Sequence, residues 1–122
     1  MPTLEYASSF ANLPAVSEDY SAPQEYQLKA VDPLEEFDDF DTWLEDVIQT
    51  LRPQNLHRLI DAYVKRPPKT SPEVSRWVKT SRDIRYWMYQ SVCKDINKLV
   101  LARRFRCEFA DEYFELLKQV TG

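Results

Sequence analysis

The stretch FDDFDTWLEDVIQTLR, residues 37–52, decides the fold of this chain. Its apolar side chains recur at steps of three and four residues, which is the period of one face of an α-helix; they are Phe37, Phe40, Leu44, Val47, Ile48 and Leu51. Thr42 and Glu45 have the spacing of a capping box, the nearby acidic residues favour the positive end of a helix, and Arg52-Pro53 ends the pattern. These signals predict a first helix over residues 41–52.

Four further segments with helical period follow this stretch. Asn55 predicts the cap of a short second helix that ends before a double proline. Ser71-Pro72-Glu73 is a helix start signal and predicts a third helix, in which weak helix formers at residues 79–81 leave open whether it is one helix or two. A fourth helix is expected to open at Asp95 and a fifth at about Glu108.

The composition indicates the same fold class. The chain has one glycine, Gly122, so a glycine-rich phosphate loop or a dinucleotide fingerprint is excluded, and the residue that β-hairpins favour is missing. We expect an all-α domain, a compact bundle of about five helices over residues 37–120. The side chains expected to anchor its core are Trp43, Trp77, Trp87, Leu44, Ile48, Leu59, Ile60 and Leu117.

Residues 1–36 are predicted to form a flexible acidic arm that is disordered or loosely docked. Four prolines interrupt them, and polar and aromatic residues are scattered without period. The alternative is that aromatic side chains of the arm clamp it onto the body; these are Tyr6, Phe10, Tyr20 and Tyr26. Charge also separates the two parts, because residues 1–46 carry −11 and residues 47–122 carry +7.

Basic residues of the body are candidates for binding nucleic acid, because clustered positive charge attracts phosphate backbones. The candidates are Lys65, Arg66, Lys69, Arg76, Lys79, Arg82, Arg85, Arg103, Arg104 and Arg106. A solvated helix face, partly neutralised by the acidic arm, is the alternative.

The sequence offers little for catalysis or metal binding. His57 is the only histidine, and Cys93 and Cys107 form no CxxC pair, so we expect free thiols, no catalytic residues, no metal and no cofactor. An inter-helix disulfide remains open. The acidic cluster at residues 35–41 lacks the ligand spacing of a calcium loop and is better explained by a helix N-terminus, with docking into a partner as a minor alternative. Without a signal peptide or membrane span, we expect a cytoplasmic protein that does not contact membranes.

The order of features resembles the N-terminal Gag region, the capsid part, of copia-type retrotransposons. An aromatic-Asp-x-Trp helix comes first (Phe40, Asp41, Trp43), then a short Leu-Ile-Asp helix (Leu59, Ile60, Asp61), a proline-bearing loop and a helix centred on Trp77. An Ala-x-x-x-aromatic-x-x-Leu ending closes the series (Ala110, Phe114, Leu117). Leu56 and Phe114 stand where that family often has tryptophan, and no CCHC zinc knuckle is present.

The resemblance covers residues 37–120 and implies a capsid-type helical domain that self-associates as a homo-oligomer and packages RNA. The acidic arm is then expected to pair with the basic body, in the same chain or in a neighbour, so that association depends on salt. Two other classes stay open. One is a helical adaptor that binds a different protein, and the other is a monomeric nucleic-acid-binding domain.

Overall fold

The computed structural model describes residues 22–104 and 106–122. Four α-helices form the body: α1 is Phe40–Leu51, α2 is Val74–Gln90, α3 is Lys94–Arg103 and α4 is Ala110–Thr121. Three short 3-10 helices, Phe37–Asp39, Arg52–Gln54 and His57–Ile60, precede and follow α1. The described residues contain no β-strand, only an isolated parallel bridge between Leu34 and Val92. None of their helices has the length and apolar character needed to span a membrane.

The all-α class is therefore confirmed, but the predicted count of five helices is wrong. The short second helix that the sequence predicts is replaced by two 3-10 helices on either side of Asn55. Pro53 lacks a backbone N–H, and Asn55 takes a left-handed conformation with φ of 58°, so the chain turns there instead of continuing as a helix. Asn55 is thus the C-cap of a 3-10 helix and not the N-cap of an α-helix.

The start of α1 also differs from its prediction. A 3-10 turn over Phe37–Asp39 leads directly into Phe40, so Thr42 lies inside the helix and its predicted capping box with Glu45 does not form. The cap of α1 is Asp39, which makes no side-chain capping bond.

The weak helix formers of the third predicted helix, at residues 79–81, include two side chains that pack in the interior. α2 runs unbroken through residues 79–81, where Thr80 and Ser81 are buried. The Ser81 hydroxyl accepts the backbone N–H of Ala110 at 2.9 Å and so satisfies a free donor at the first turn of α4. The Ser81 hydroxyl, which lowers helix propensity here, therefore joins two helices.

The hydrophobic core lies where α4 packs against both α2 and α3. The three tryptophans, together with Leu59, Ile60 and Leu117, are buried, whereas Leu44 and Ile48 are half-buried at the edge of the core. The Trp43 indole donates to the Ser91 hydroxyl at 3.0 Å, and Phe40 stacks on Phe114 with ring centroids 6.2 Å apart. These contacts attach α1 to the end of α2 and to α4.

One buried polar network links three helices. The Asn97 side chain of α3 donates to the carbonyls of Tyr89 and Val92, both at 3.1 Å, and accepts the Tyr113 hydroxyl of α4 at 2.6 Å. Burial raises the pKa of Tyr113 far above its usual value, so the phenol keeps its proton and remains a donor.

The part of the predicted arm that the structure describes, residues 22–36, contacts the helices. Ala22 is 2% exposed and Leu34 is fully buried. Leu34 donates to the Ser91 carbonyl at 2.7 Å and accepts the Cys93 N–H at 2.9 Å. This part of the predicted arm is an extended element of the fold. Tyr26, one of the four aromatic residues of the alternative clamp, does hold it to the body, because its hydroxyl donates to Asp83 and its ring packs against the core. The other three, Tyr6, Phe10 and Tyr20, lie outside the described residues.

Candidate interaction surfaces

Arg66, one of the predicted nucleic-acid-binding residues, is a structural cation. Its guanidinium makes two hydrogen bonds to Asp111, at 2.9 and 2.7 Å, and lies over the rings of Trp77 and Phe109 at 5.1 and 4.8 Å. The Asp111 carboxylate is only 9% exposed, and its hydrogen bonds raise the pKa of Arg66. This arrangement attaches the proline-rich loop to the first turn of α4, where a carboxylate also suits the helix dipole.

Four more of the predicted basic residues are paired within the chain. Arg76 contacts Glu73 at 3.3 Å, Lys79 contacts Asp83 at 2.9 Å, Arg82 pairs with Glu108, and Arg104 contacts Glu112 at 3.4 Å. Arg103 makes only a 3.4 Å hydrogen bond to Gln119. Half of the ten candidate residues are thus neutralised by a carboxylate of the same chain, which reduces the positive field they offer to a phosphate backbone.

The four remaining candidates have no carboxylate partner among the described residues but differ in exposure. Lys65, Lys69 and Arg106 are exposed and have no ion pair among the described residues. Arg85 is half-buried, and its Nε has no hydrogen-bond partner. It shares a cavity of about 500 Å³ with Arg104 and Arg106, but Glu108 and Glu112 line the same cavity. Three predicted arginines therefore meet at one place, together with two carboxylates that offset them.

Neither His57 nor the cysteines form a reactive group among the described residues. Burial, followed by the charges of Arg52 and Arg58, lowers the pKa of His57. Burial raises the pKa of Cys107 to about 11, which makes its thiol a poor nucleophile at neutral pH. Both cysteines are free thiols, so the alternative of a disulfide does not occur here. No cluster of His, Cys, Asp and Glu in the described part of the chain is arranged to hold a metal ion.

The α3 outer face is the side of α3 turned away from the core, and it is basic and apolar. Its exposed residues are Lys94, Asp95, Lys98, Leu99, Leu101, Ala102 and Arg103. Lys94 and Lys98 are one helical turn apart and have no ion pair among the described residues, and Leu99 and Leu101 are 47% and 41% exposed. These unpaired cations give the face a positive charge that is available to an acidic partner.

The acidic corner, residues 35–41, has the opposite charge. Its five carboxylates are exposed and make no ion pair within the described residues; they belong to Glu35, Glu36, Asp38, Asp39 and Asp41. Phe37 lies among them and is 45% exposed. Within the described residues, the acids of the corner therefore form no ion pair with basic residues of the same chain. Whether the arm pairs with its own body or with a neighbour's stays a prediction.

Residues 22–35, the docked segment, lie in a groove that binds their backbone. The Gln54 side chain accepts the Gln27 N–H and donates to the Gln27 carbonyl, both at 2.7 Å, and it is fixed by a further bond to the Thr50 carbonyl at 2.8 Å. The Trp87 indole donates to the Lys29 carbonyl at 2.9 Å. A side-chain amide that pairs with both groups of one residue imitates a neighbouring β-strand.

Sequence reasoning missed this groove because its partners are far apart along the chain. Gln27 and Gln54 are separated by 27 residues, and Trp87 and Lys29 by 58. An extended segment that is bound through its backbone does not need regularly spaced apolar residues. The only available signal was the presence of apolar residues such as Leu34 among the polar ones.

No protein-family model, no curated protein and no solved structure matches this chain.

Proposed function

We propose that this chain is a non-enzymatic self-association domain of the capsid type, as its resemblance to copia-type Gag implies. Copies contact one another where the acidic corner of one chain meets the α3 outer face of another. The observation that carries the proposal is that these two surfaces have opposite charge and that neither is neutralised within the described part of its own chain. Unpaired charges of opposite sign on one protein favour contact between its copies.

The exposed apolar side chains support the same pairing. Phe37 stands at the centre of the acidic corner, and Leu99 and Leu101 stand beside the lysines of α3. Contact between the two surfaces removes these side chains from water and places carboxylates against ammonium groups. Each contact of this size is weak, and a capsid-type assembly gains strength from many of them.

The pairing of the basic residues argues against a monomeric nucleic-acid-binding domain as the main function. Arg66, Arg76, Lys79, Arg82 and Arg104 are already bound to carboxylates. RNA packaging, if it accompanies assembly, then relies on the exposed cations that remain, such as Lys65, Lys69 and Arg106.

The test is a charge swap measured by light scattering after size exclusion. We expect the wild-type chain to associate at low salt and to dissociate as salt screens the charges. The double substitution Lys94→Glu with Lys98→Glu is expected to leave monomers. So is the triple substitution Glu35→Lys, Glu36→Lys and Asp38→Lys, which changes the charge of the acidic corner from −5 to +1. An equimolar mixture of the two variants is expected to form mixed oligomers, because each altered surface then faces one of opposite charge.

The matched control is Lys65→Glu with Lys69→Glu, which makes the same change of charge in an exposed loop. We expect this variant to associate as the wild type does. The proposal is wrong if the wild type is monomeric at every concentration, or if the control dissociates as fully as the α3 variant. If the variants dissociated only because they no longer bound RNA, mixing them would not restore association. Mixed oligomers therefore indicate direct contact between the two surfaces.

A further inference from the structure

The cavity of about 500 Å³ between the helices is lined by arginines from different elements. Arg85 lies on α2, and Arg104 and Arg106 follow the end of α3. The carboxylates of Glu108 and Glu112 complete its charged lining, and Glu112 belongs to α4. Because helices position part of this lining, the site is held more firmly than one built on a single loop.

Arg85 has a hydrogen-bond donor that the chain does not satisfy. Its Nε is buried and has no partner among the described residues. A guanidinium carries only donors, so an acceptor such as an oxygen atom is needed to satisfy it. A buried donor without a partner costs free energy, and folded proteins keep few of them. The Arg85 side chain is therefore available to an oxygen-rich ligand in the cavity.

The two carboxylates of the cavity are already bound to other groups. Glu108 pairs with Arg82, which lies outside the cavity. Glu112 accepts two backbone N–H groups at the start of α4, at 3.2 and 3.3 Å, and contacts Arg66 at 3.5 Å and Arg104 at 3.4 Å. Neither carboxylate makes an ion pair with the other two arginines of the cavity, so these two keep their charge for a ligand.

The charged groups of the cavity, counted together with the groups bound to them, leave a surplus of two positive charges. Five arginines stand against three carboxylates; they are Arg66, Arg82, Arg85, Arg104 and Arg106, with Glu108, Asp111 and Glu112. Arg104 and Arg106 are exposed, so a dissolved ligand reaches the cavity from solvent. The cavity is therefore suited to a small anion with more than one negative charge.

We propose that this cavity binds a phosphate group, which Arg85, Arg104 and Arg106 hold. A phosphate monoester carries about two negative charges and three acceptor oxygens at neutral pH, and arginine binds such oxygens in pairs through its planar fork. A carboxylate has one charge and two oxygens and satisfies fewer of these groups. RNA and free nucleotides both supply this chemistry.

Cys107 provides an internal reporter, because it lines the same cavity. With Cys93→Ser, it is the only thiol of the chain. Its alkylation by iodoacetamide is measured at increasing concentrations of inorganic phosphate, with chloride replacing phosphate at the same ionic strength. A phosphate in the cavity covers the thiol and its negative charge disfavours the thiolate, so we expect alkylation to slow in a saturable way. Titration calorimetry then gives the dissociation constant.

Arg85→Met tests the central residue, because it removes the charge and keeps a long unbranched side chain. We expect the dissociation constant for phosphate to rise about tenfold, since a hydrogen bond to a charged group is lost. Because Arg85 Nε has no partner in the chain, we expect thermal unfolding without phosphate to occur at an unchanged or higher temperature. The matched control is Lys69→Met, which removes one charge from an exposed loop outside the cavity and is expected to bind phosphate as the wild type does.

Arg106→Met is the second variant, and it keeps the test decisive if Arg85→Met does not fold. Arg106 is exposed and has no ion pair among the described residues, so its substitution leaves folding intact. We expect this variant to bind phosphate several-fold more weakly than the wild type. Binding by Arg106→Met or by a folded Arg85→Met as tight as that of the wild type would overturn the proposal.

Competition with inorganic phosphate identifies the source of the phosphate group. Competition by AMP and also by single-stranded RNA with a 5′-hydroxyl supports a site for RNA backbone phosphates, and competition by AMP alone supports a site for nucleotides. Binding of inorganic phosphate without either competitor indicates an adventitious ion only and overturns the proposal, as does equal protection of Cys107 by chloride. The charge swap between the acidic corner and the α3 outer face changes none of these arginines, so the two hypotheses fail separately.

Discussion

Arg66 and Lys98 both belong to the basic half of this chain, but they have opposite roles. Arg66 lies over two aromatic rings and is bound twice by a buried carboxylate, whereas Lys98 projects from α3 into solvent without an ion pair among the described residues. The count of basic residues treats them alike. Their surroundings show that the first charge holds a loop against α4, while the second remains available to a partner.

The largest effect expected from this comparison follows Asp111→Ala. The substitution leaves the Arg66 guanidinium without its two hydrogen bonds, and only Glu112, at 3.5 Å, remains near it. Because Arg66 is partly exposed, we expect a loss of about 2 kcal/mol in the free energy of unfolding, less than for a fully buried pair. Urea denaturation measures it. Glu108→Ala breaks the exposed pair with Arg82 and serves as the control, and equal losses in the two variants would contradict the structural role of Arg66.

A second buried polar group sharpens the contrast between paired and exposed residues. Tyr113→Phe removes the donor to Asn97 Oδ1 in a site where Asn97 is 4% exposed. We expect a loss of about 1–2 kcal/mol, because a buried acceptor is left without a partner. Tyr86→Phe, at a ring that is 55% exposed, is the matched control. If both tyrosines tolerate the change equally in thermal and urea unfolding, the buried network does not contribute to stability.

The hydrogen bond between Ser81 of α2 and Ala110 of α4 tests whether a buried neutral group also contributes more to stability than an exposed one. Ser81→Ala removes the acceptor of the Ala110 N–H at the start of α4. We expect the loss of this capping interaction to cost about 1 kcal/mol of unfolding free energy. The control is Ser75→Ala, because Ser75 is exposed on the same helix. A stability change at Ser75 as large as that at Ser81 would argue against the capping role.

Lys98→Glu tests the exposed, unpaired cation of the comparison. Because Lys98 is exposed and has no ion pair among the described residues, we expect the unfolding free energy of the monomer to change by less than about 0.5 kcal/mol. Its measurement by urea denaturation at high salt, where association is screened, separates folding from assembly. A marked loss there would place Lys98 among the structural cations instead.

The smallest effect concerns the pH dependence of stability. The pKa of His57 in the folded chain lies below its ordinary value of 6.5, so the unfolded chain binds the proton more readily. Stability from this group is therefore complete above pH 6.5 and is lost as the pH falls through 6.5 towards the folded pKa. We expect His57→Gln to flatten the stability profile in that range. A constant difference between wild type and variant at all pH values would exclude this role.

The helical period predicted the elements that carry an apolar face, and it did so within one to three residues at their starts. α1 begins at Phe40 and α2 follows Ser71-Pro72-Glu73, where the Ser71 hydroxyl accepts the Glu73 N–H at 3.1 Å. These signals are local, so the sequence contains them. The region around Pro53 and Asn55 failed because its apolar residues have helical spacing while its backbone cannot continue a helix.

The interaction surfaces were less predictable, because their properties depend on contacts distant in the chain. Composition indicated which residues were basic but not that Arg66 pairs with Asp111, 45 residues away. It also separated acidic from basic regions correctly without revealing that the acids of residues 35–41 remain unpaired among the described residues. The groove around Gln54 has no periodic signal in the sequence, because it binds backbone groups that every sequence possesses.

The bond between the Trp87 indole and the Lys29 carbonyl has a consequence for proteolysis. Lys29 is the only lysine or arginine in residues 1–46, so trypsin has a single site in that part of the chain. The site is the peptide bond between Lys29 and Ala30, whose carbonyl accepts the hydrogen bond from Trp87. A protease needs an unbound, extended stretch on both sides of the bond it cleaves, and cleavage after Lys29 therefore requires the segment to leave its groove. With opening faster than cleavage, the digestion rate reports the equilibrium population of open chains.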